Sequence, residues 1–482
     1  MRRSRRSWRK GHPSSKASRQ VESPDVVVVG SGPNGLTAAA RMAVAGRRVL
    51  VLEAETAIGG GTRTEELTLP GFRHDTCSAI HPFGVVSPGY RTLGLDVDWI
   101  TPPVAASHPL DDGRAAGLFN NVDETAQSLS ERDGRVWRRI FAPLVADLDQ
   151  IVDKFLAERI IPNPINKADR IMTLHGARSA AALASRFEGE GARALIAGLA
   201  AHSVAKLDSL FTGGVALLMG AIGNAVGWPL IRGGSARISD SLAAIVTENG
   251  GEIVTGQRVT SLDRYDHASV LLDLSPPEAR VVGRLRMNPT DIVSYGRWRP
   301  GPGVFKIDYA LDRPVPWADD VSPRAGTVHL GGTFEEIAAA EAAVIEGRHP
   351  DRPFVLFAQQ SDFDPTRAPE GKRTGWAYCH VPNGSDVDMT SRIEAQIERF
   401  APGFSETVLQ RFTRDAPGFE AYNSNYVGGD IGGGAFGVRR FIPKVKSRYK
   451  VGDRLFACSA NTPPGGGAHG MCGWNAAGAA LR

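Results

Sequence analysis

Cysteine is scarce. The 482 residues hold four, Cys77, Cys379, Cys458 and Cys472, with no C-x-x-C pair and no metal-ligand spacing. That pattern excludes a disulfide scaffold and a dithiol redox centre, and reads as separate reduced thiols in a reducing compartment. No metal site is expected. Long apolar runs are also missing. The most hydrophobic stretch, Leu210 to Ile231, is broken by five glycines, Asn224, Trp228 and Pro229. It falls short of the ~20 consecutive apolar residues of a membrane span and reads as the lining of a buried groove. Acidic residues are absent from positions 1–20, which carry eight Lys and Arg; without them the formal charge of +4 becomes −4. The body is therefore mildly acidic, and no nucleic-acid partner is expected.

Residues 1–22 read as a disordered basic tail. Arg5-Arg6 has no apolar stretch behind it, as an export signal would need, and Trp8 is the one large apolar residue before Val21, too little for an amphipathic transit helix. The expected location is the cytoplasm, with peripheral membrane contact left open. For a eukaryotic source, the Arg- and Ser-rich composition would direct the chain to the mitochondrial matrix.

What is abundant is glycine, 55 residues, gathered in clusters such as Gly59–Gly61, Gly432–Gly434 and Gly465–Gly467. Near the N-terminus a β-branched run, Val26–Val29, lacks polar alternation, as in a parallel strand buried on both faces. Gly30-Ser31-Gly32-Pro33-Asn34-Gly35 follows it, a full G-x-G-x-x-G. An Ala-rich helical segment then runs from Leu36 to about Ala45, and Arg48–Leu52 supplies a second strand ending in Glu53. In this order each part has a task. Gly30 permits the tight turn, Gly32 lets backbone N–H groups approach a pyrophosphate, and Gly35 allows close helix–strand packing. The helix N-terminus presents its positive dipole end to the phosphates. Glu53 is placed to accept ribose hydroxyls and to repel a 2′-phosphate.

The cofactor expected is FAD rather than NAD. Gly59-Gly60-Gly61-Thr62-Arg63 would bring backbone and guanidinium to the pyrophosphate from its other side, and no second G-x-G-x-x-G follows a later strand. At the C-terminus, a strand over Arg454–Ser459, the loop Asn461–Met471 and a final helical segment repeat the strand–glycine loop–helix order. The helix N-terminus there could stabilise negative charge on a reduced flavin ring.

Taken together, Gly30–Gly35, Glu53, Gly59–Arg63, Gly71–Asp75 and Thr462–Met471 resemble the FAD-dependent phytoene desaturase (carotenoid dehydrogenase) superfamily. Asn423–Ile431 and Pro463–Gly473 are closest to the branch typified by pyridine nucleotide-disulfide oxidoreductase domain-containing protein 2. The resemblance covers about residue 23 to 482. It implies an α/β fold: a discontinuous Rossmann-type FAD-binding domain (23–110, 225–275 and 425–482) with an inserted mixed α+β substrate domain (111–224 and 276–424). It implies cofactor contacts at Gly30, Gly32, Pro33, Asn34, Gly35, Glu53, Gly60, Gly61, Arg63, Pro464, Gly466, Gly467, Gly470 and Met471, with Val259 beside the adenine. A helix over Ile238–Asn249 and strands at 251–254 and 257–259 would rebuild the cofactor domain. The chain departs from the family where His469 replaces a usual Pro, and where the connections near 275–300 and 436–452 look short. The branch name suggests a disulfide centre that this sequence lacks.

The implied activity is hydride abstraction from a lipophilic substrate onto flavin N5, with oxygen, a quinone or another flavoprotein as acceptor. Two other readings share the fold: a flavin amine oxidase and a non-catalytic isoprenoid-binding carrier. His469 is the candidate proton-handling residue, expected to be neutral at a helix N-terminus, with loop architecture as its alternative role. Asp430, among glycines, is a substrate-side candidate, and a plain turn is the alternative. His329 and His380 have no metal-ligand partners at regular spacing and read as structural. The stripe Val136, Ile140, Leu144, Leu148, Ile151 and Phe155 reads as helical core, with the wall of a ligand cavity as the alternative.

Overall fold

Two sheets of opposite character organise the chain, which a computed structural model describes over residues 23–157, 166–437 and 449–482. The basic segment 1–22 lies outside the described residues. The first sheet runs in the order β16 (Lys450–Gly452), β17 (Leu455–Ala457), β10 (Ser269–Leu272), β1 (Val26–Val29), β2 (Val49–Leu52) and β9 (Glu252–Val254). All its pairings are parallel except β16–β17. Every residue of β1 and β2 is buried, as expected of β-branched strands covered on both faces. Helix Pro33–Val44 starts with Pro at its first turn, where a missing N–H costs nothing, and ends ahead of Gly46 at φ +77°. It packs on helices Ala236–Glu248 and Met471–Leu481.

The second sheet has seven strands in the order β15 (Val408–Arg414), β11 (Gly303–Leu311), β14 (Arg373–Val381), β13 (Val355–Ala358), β12 (Ala325–Leu330), β6 (Val104–Pro109) and β7 (Ala115–Phe119). Only β6–β12 is parallel. Side chains alternate across it. Phe305, Ile307, Tyr309, Val328 and Phe357 face helix Thr390–Phe400 in one core. Val304, Leu356, Ala358, Trp376 and Tyr378 face a helical layer carrying Trp137, Phe141, Leu199 and Leu217 in another. Two short ribbons complete the strands: β3 (Thr64–Glu65) with β4 (His74–Asp75), and β5 (Trp99–Ile100) with β8 (Leu230–Ile231).

The chain is thus α/β, with a Rossmann-type sheet assembled from three segments and a second α+β layer. Three boundaries differ from expectation. The chain leaves the first sheet before residue 104, not after 110, because β6 pairs with β12, more than 200 residues later. Residues 276–296 do not belong to the second layer. They form helices Pro276–Val282 and Pro289–Gly296, with Ala279, Val282 and Met287 buried against the first sheet. Residues 257–259 are not a strand; β9 ends at Val254, and Gln257 N–H bonds to the Glu53 carbonyl. Of the 436–452 connection, 438–448 lies outside the described residues.

A buried ion pair ties the layers together. The Arg367 guanidinium bonds Asp75 Oδ2 while its Nε donates to Arg73 O at 3.1 Å. Asp75 Oδ1 accepts from Thr64 Oγ1 and Ser235 N, each at 2.8 Å. Burial alone would raise the Asp75 carboxyl pKa, but Arg367 and these donors hold it below its usual value. Removing one partner of such a pair leaves a buried uncompensated charge, which costs about 3–5 kcal/mol. Arg367→Met is therefore expected to lower unfolding free energy by about 3 kcal/mol or more in urea titration. Adding Asp75→Asn should recover part of that loss; an additive pair of losses would mean the two side chains act independently.

Candidate functional site

A single continuous cavity of about 460 Å³ begins at the first sheet and ends under the second. At one end it is lined by Glu53, Arg258 and Val259, and in its middle by Gly30–Asn34, Gly60–Arg63 and Asp273. Further on come Pro463–Ala468, Trp376 and Tyr378, then Met219, Trp228 and Thr327. The glycines are required by close packing. A Cβ on Gly35 would stand 2.3 Å from the Gly30 carbonyl oxygen, and one on Gly61 would stand 2.0 Å from the Tyr426 hydroxyl.

Glu53 grips the phosphate loop from the end of β2. Its Oε2 accepts from Ser31 N at 2.8 Å and Ser31 Oγ at 2.5 Å, and its Oε1 accepts from Glu55 N at 2.9 Å. A carboxylate offers about four acceptor sites, so one remains for a ribose hydroxyl. Arg63 lines the cavity but spends two donors on its own turn, Nε to Ile58 O at 3.1 Å and Nη2 to Ala57 O at 2.7 Å. Its guanidinium also lies 5.2 Å from the Tyr422 ring. Segment 422–426 clamps the second glycine turn and the end of β10. Tyr422 Oη donates to Gly60 O at 2.8 Å, and Asn425 Nδ2 donates to Asp273 O at 2.9 Å. Asn34 Oδ1 is buried, lines the cavity's loop and has no partner. Such an orphaned acceptor, in a cradle closed to side chains, fits a bound dinucleotide.

Several expected site residues lie elsewhere. Gly35 packs beneath the loop. Gly470 and Met471 do not line the cavity: Gly470 abuts Thr37, and Met471 Sδ accepts from Gly89 N at 3.2 Å. The His469 ring also stays out of the lining. Its Nδ1 accepts the Met471 N–H at 3.0 Å, capping the first turn of helix Met471–Leu481. Burial lowers its pKa to about 4, against hydrogen bonds to the Gly465 and Gly466 backbone that favour the charged form. The ring is neutral as expected, but it serves the loop. Asp430 lines the cavity with its carboxylate already filled. Oδ2 accepts from Gly301 N and Gly434 N, both at 2.7 Å, and Oδ1 from Gly432 N at 2.8 Å and Gly433 N at 3.2 Å. It shapes the glycine turn.

Two features escape a reading of the sequence. Asp273, at the C-terminal end of β10, sits under the phosphate loop with Oδ2 3.0 Å from Gly35 N. A Cβ on Gly32 would meet that oxygen at 2.6 Å. Burial pushes its carboxyl pKa up to about 7, and the Glu53 charge adds to the rise. Ligands sit at the carboxyl ends of parallel strands, but nothing local in the sequence marks this strand as the neighbour of β1. Lys306 and Asp308, bonded to each other on β11, are both buried on the sheet face that carries Trp376, whose ring lies 5.6 Å from Lys306 Nζ. Burial lowers the lysine and raises the aspartate. His329 and His380 are buried; His380 Nδ1 lies 2.9 Å from the Glu341 carboxylate. Among the described residues no cluster of three or more His, Cys, Asp or Glu could hold a metal ion. No helix among them is long and apolar enough to cross a membrane.

Residues 28–89 match the family model of the NAD(P)-binding Rossmann-like domain. Over 95% of its length the chain is 29% identical to one of the limonene dehydrogenase chains of Castellaniella defragrans, of which 94% is covered. It is 25% identical to pyridine nucleotide-disulfide oxidoreductase domain-containing protein 2 of Mus musculus, over 94% of the chain and 92% of that protein. Against phytoene dehydrogenase of Streptomyces griseus it is 26% identical, over 74% and 73%. An oxidoreductase structure from Methanosarcina mazei shares the fold, with a TM-score of 0.65 and 18% identity over 95% of this chain and 99% of that one. The chain therefore carries a dinucleotide-binding Rossmann-like domain and is similar over nearly its whole length to oxidoreductases. It resembles the FAD-dependent phytoene desaturase superfamily, and within it the branch of pyridine nucleotide-disulfide oxidoreductase domain-containing protein 2.

Two outcomes test these placements. A neutral Asp273 contributes stability that is complete below the usual carboxyl value of 3.8 and is lost as pH rises through about 7. Asp273→Asn should therefore gain stability relative to wild type across that window and hold a constant advantage above it, as read by urea titration in pH steps. A pH-independent difference would contradict a protonated Asp273. Replacing the helix cap, His469→Ala should lower stability by about 1 kcal/mol, while His469→Asn keeps an acceptor there and should lose less.

Proposed function

We propose that this chain binds FAD and oxidises a lipophilic substrate by removing hydride from a C–H bond. The observation that carries this reading is the continuity of one cavity from the phosphate loop to an apolar chamber walled by Met219, Trp228, Leu356, Ala358 and Trp376. Gly30–Asn34, Glu53, Gly60–Arg63 and Val259 would hold the adenosine diphosphate half. Pro464, Gly466 and Gly467 would border the ring, with His469 holding their helix in place. Bound there, FAD supplies the two-electron acceptor for the departing hydride. The protein's own part is to orient the substrate and exclude water, which buried walls on both sheets support. Two relatives, a limonene dehydrogenase and a phytoene dehydrogenase, are named for lipophilic substrates. The electron pair would pass on to oxygen, a quinone or another flavoprotein.

Gly32→Val tests the loop, because its side chain would collide with Asp273. The variant should stay folded by circular dichroism yet carry no flavin absorbance. Anaerobic mixing of the wild-type holoprotein with a set of lipophilic hydride donors should bleach its visible flavin band for at least one of them. A variant that loads flavin normally would refute the loop assignment. A holoprotein that reacts only with amines would refute the substrate class.

A further inference from the structure

The chamber is apolar except where β12 faces the end of helix Glu190–Ala201. There, two hydroxyls line the cavity without a hydrogen-bond partner: Thr327 Oγ1 and Ser203 Oγ, in residues only 4% and 8% exposed. His202, next to Ser203 in the chain, also lines the cavity. Its Nε2 is 3.3 Å from Nε2 of His329, a residue on the same face of β12 as Thr327. His329 Nδ1 is also without a partner, but it does not line the cavity and faces Gly198 of the helix. Buried polar groups are ordinarily hydrogen-bonded, so two unpartnered hydroxyls on the wall of a ligand cavity call for a missing ligand atom.

The charges around this end say which atom. Burial holds His202 down to about 3, His329 well below its usual value and His108 down to about 4, so all three rings are neutral. His108 does not line the cavity; its Nε2 donates to Gly332 O at 2.7 Å and its Nδ1 has no partner. On β14, two strands from β12, His380 has its Nδ1 on the Glu341 carboxylate. The end thus offers neutral donors and acceptors, with the paired His380 and Glu341 beyond them, and no Lys or Arg is among the groups named. A carboxylate or phosphate would be desolvated here without a counter-ion. An uncharged oxygen would be satisfied.

We infer that Ser203 and Thr327, backed by the His202–His329 pair, form a recognition site for a neutral oxygen function, a hydroxyl or carbonyl, on the lipophilic substrate. This rests on the proposed cavity function and narrows its substrate class from hydrocarbons to alcohols, aldehydes and ketones. The two hydroxyls and His202 are specificity-determining residues that hold one end of the substrate while the rest lies along the apolar wall.

Calorimetric titration of the purified holoprotein with geraniol, geranic acid and myrcene separates the outcomes, since the three share a ten-carbon skeleton and differ in the polar end. Geraniol should bind at least ~10-fold tighter than either of the others, the worth of one or two buried neutral hydrogen bonds. In Thr327→Val with Ser203→Ala the advantage over myrcene should fall to ~3-fold or less, with myrcene binding unchanged, whereas Thr327→Ser retains it. Without ligand, Thr327→Val should melt at the wild-type temperature or above, because it removes a hydroxyl that has no partner. Equal binding of geraniol and myrcene, a preference for geranic acid, or a preference that survives the double variant would overturn the inference while leaving the cavity function standing. Binding of none of the three would overturn both. Protein that carries no flavin but still prefers geraniol would refute the FAD reading alone.

Discussion

The fold depends on two helices meeting at backbone distance. Helix Met471–Leu481 lies on helix Pro33–Val44 so closely that a Cβ on Gly473 would stand 1.8 Å from Asn34 O. Gly470 sits equally tight against Thr37. Arg41 closes the contact from the other end, donating to Trp474 O at 2.6 Å and stacking on its ring at 4.0 Å. This crossing brings residues 463–470, near the chain's C-terminus, beside a loop near residue 30, and the cavity exists only because those two loops are neighbours. His469 and Cys472 stitch the second loop to the helix, the thiol donating to Gly465 O at 3.2 Å and to Thr462 O at 3.3 Å. The glycine excess of the sequence is largely the requirement of such contacts.

The second sheet turns that cleft into a closed chamber. Its alternating faces place one set of side chains in a dry core with helix Thr390–Phe400 and the other over the cavity. The cavity face is unusual in carrying Lys306, Asp308, Thr327, His329 and His380 among its apolar residues, all buried. Most of these are paired within the protein. Lys306 pairs with Asp308 and His380 with Glu341, whereas the Thr327 hydroxyl has no partner and opens onto the cavity. Asp75, Arg367 and Trp376 join this face to the first sheet's loops, Trp376 Nε1 donating to Asp75 O at 3.1 Å.

How much of this is legible in the sequence follows from distance along the chain. The unit β1–helix–β2 with its glycine loop and Glu53 is contiguous, so its periodicity and turn chemistry can be read directly. The terminal strand–loop–helix is readable for the same reason. Asp273 is not, because nothing local marks an aspartate after Val270–Leu272 as lying under the Gly30–Gly35 loop. The strand β6 reads as part of the first domain, since its parallel partner β12 is far along the chain. Alternating polar residues on β11 and β12 would ordinarily suggest a solvent face, and only the helical layer above them shows that they are buried. His469 and Asp430 do stand out as unusual. Their side chains satisfy backbone amides, a role that spacing alone does not distinguish from contact with a ligand.

The central claim is that the cavity holds a flavin dinucleotide, with the phosphate loop and the C-terminal loop on either side. It is tested most directly by denaturing the protein as purified and identifying the released small molecule by mass and absorbance. The account requires FAD in a ratio of about one per chain. Release of NAD or NADP instead, or a chain that is fully folded yet neither carries nor takes up any flavin, would contradict it.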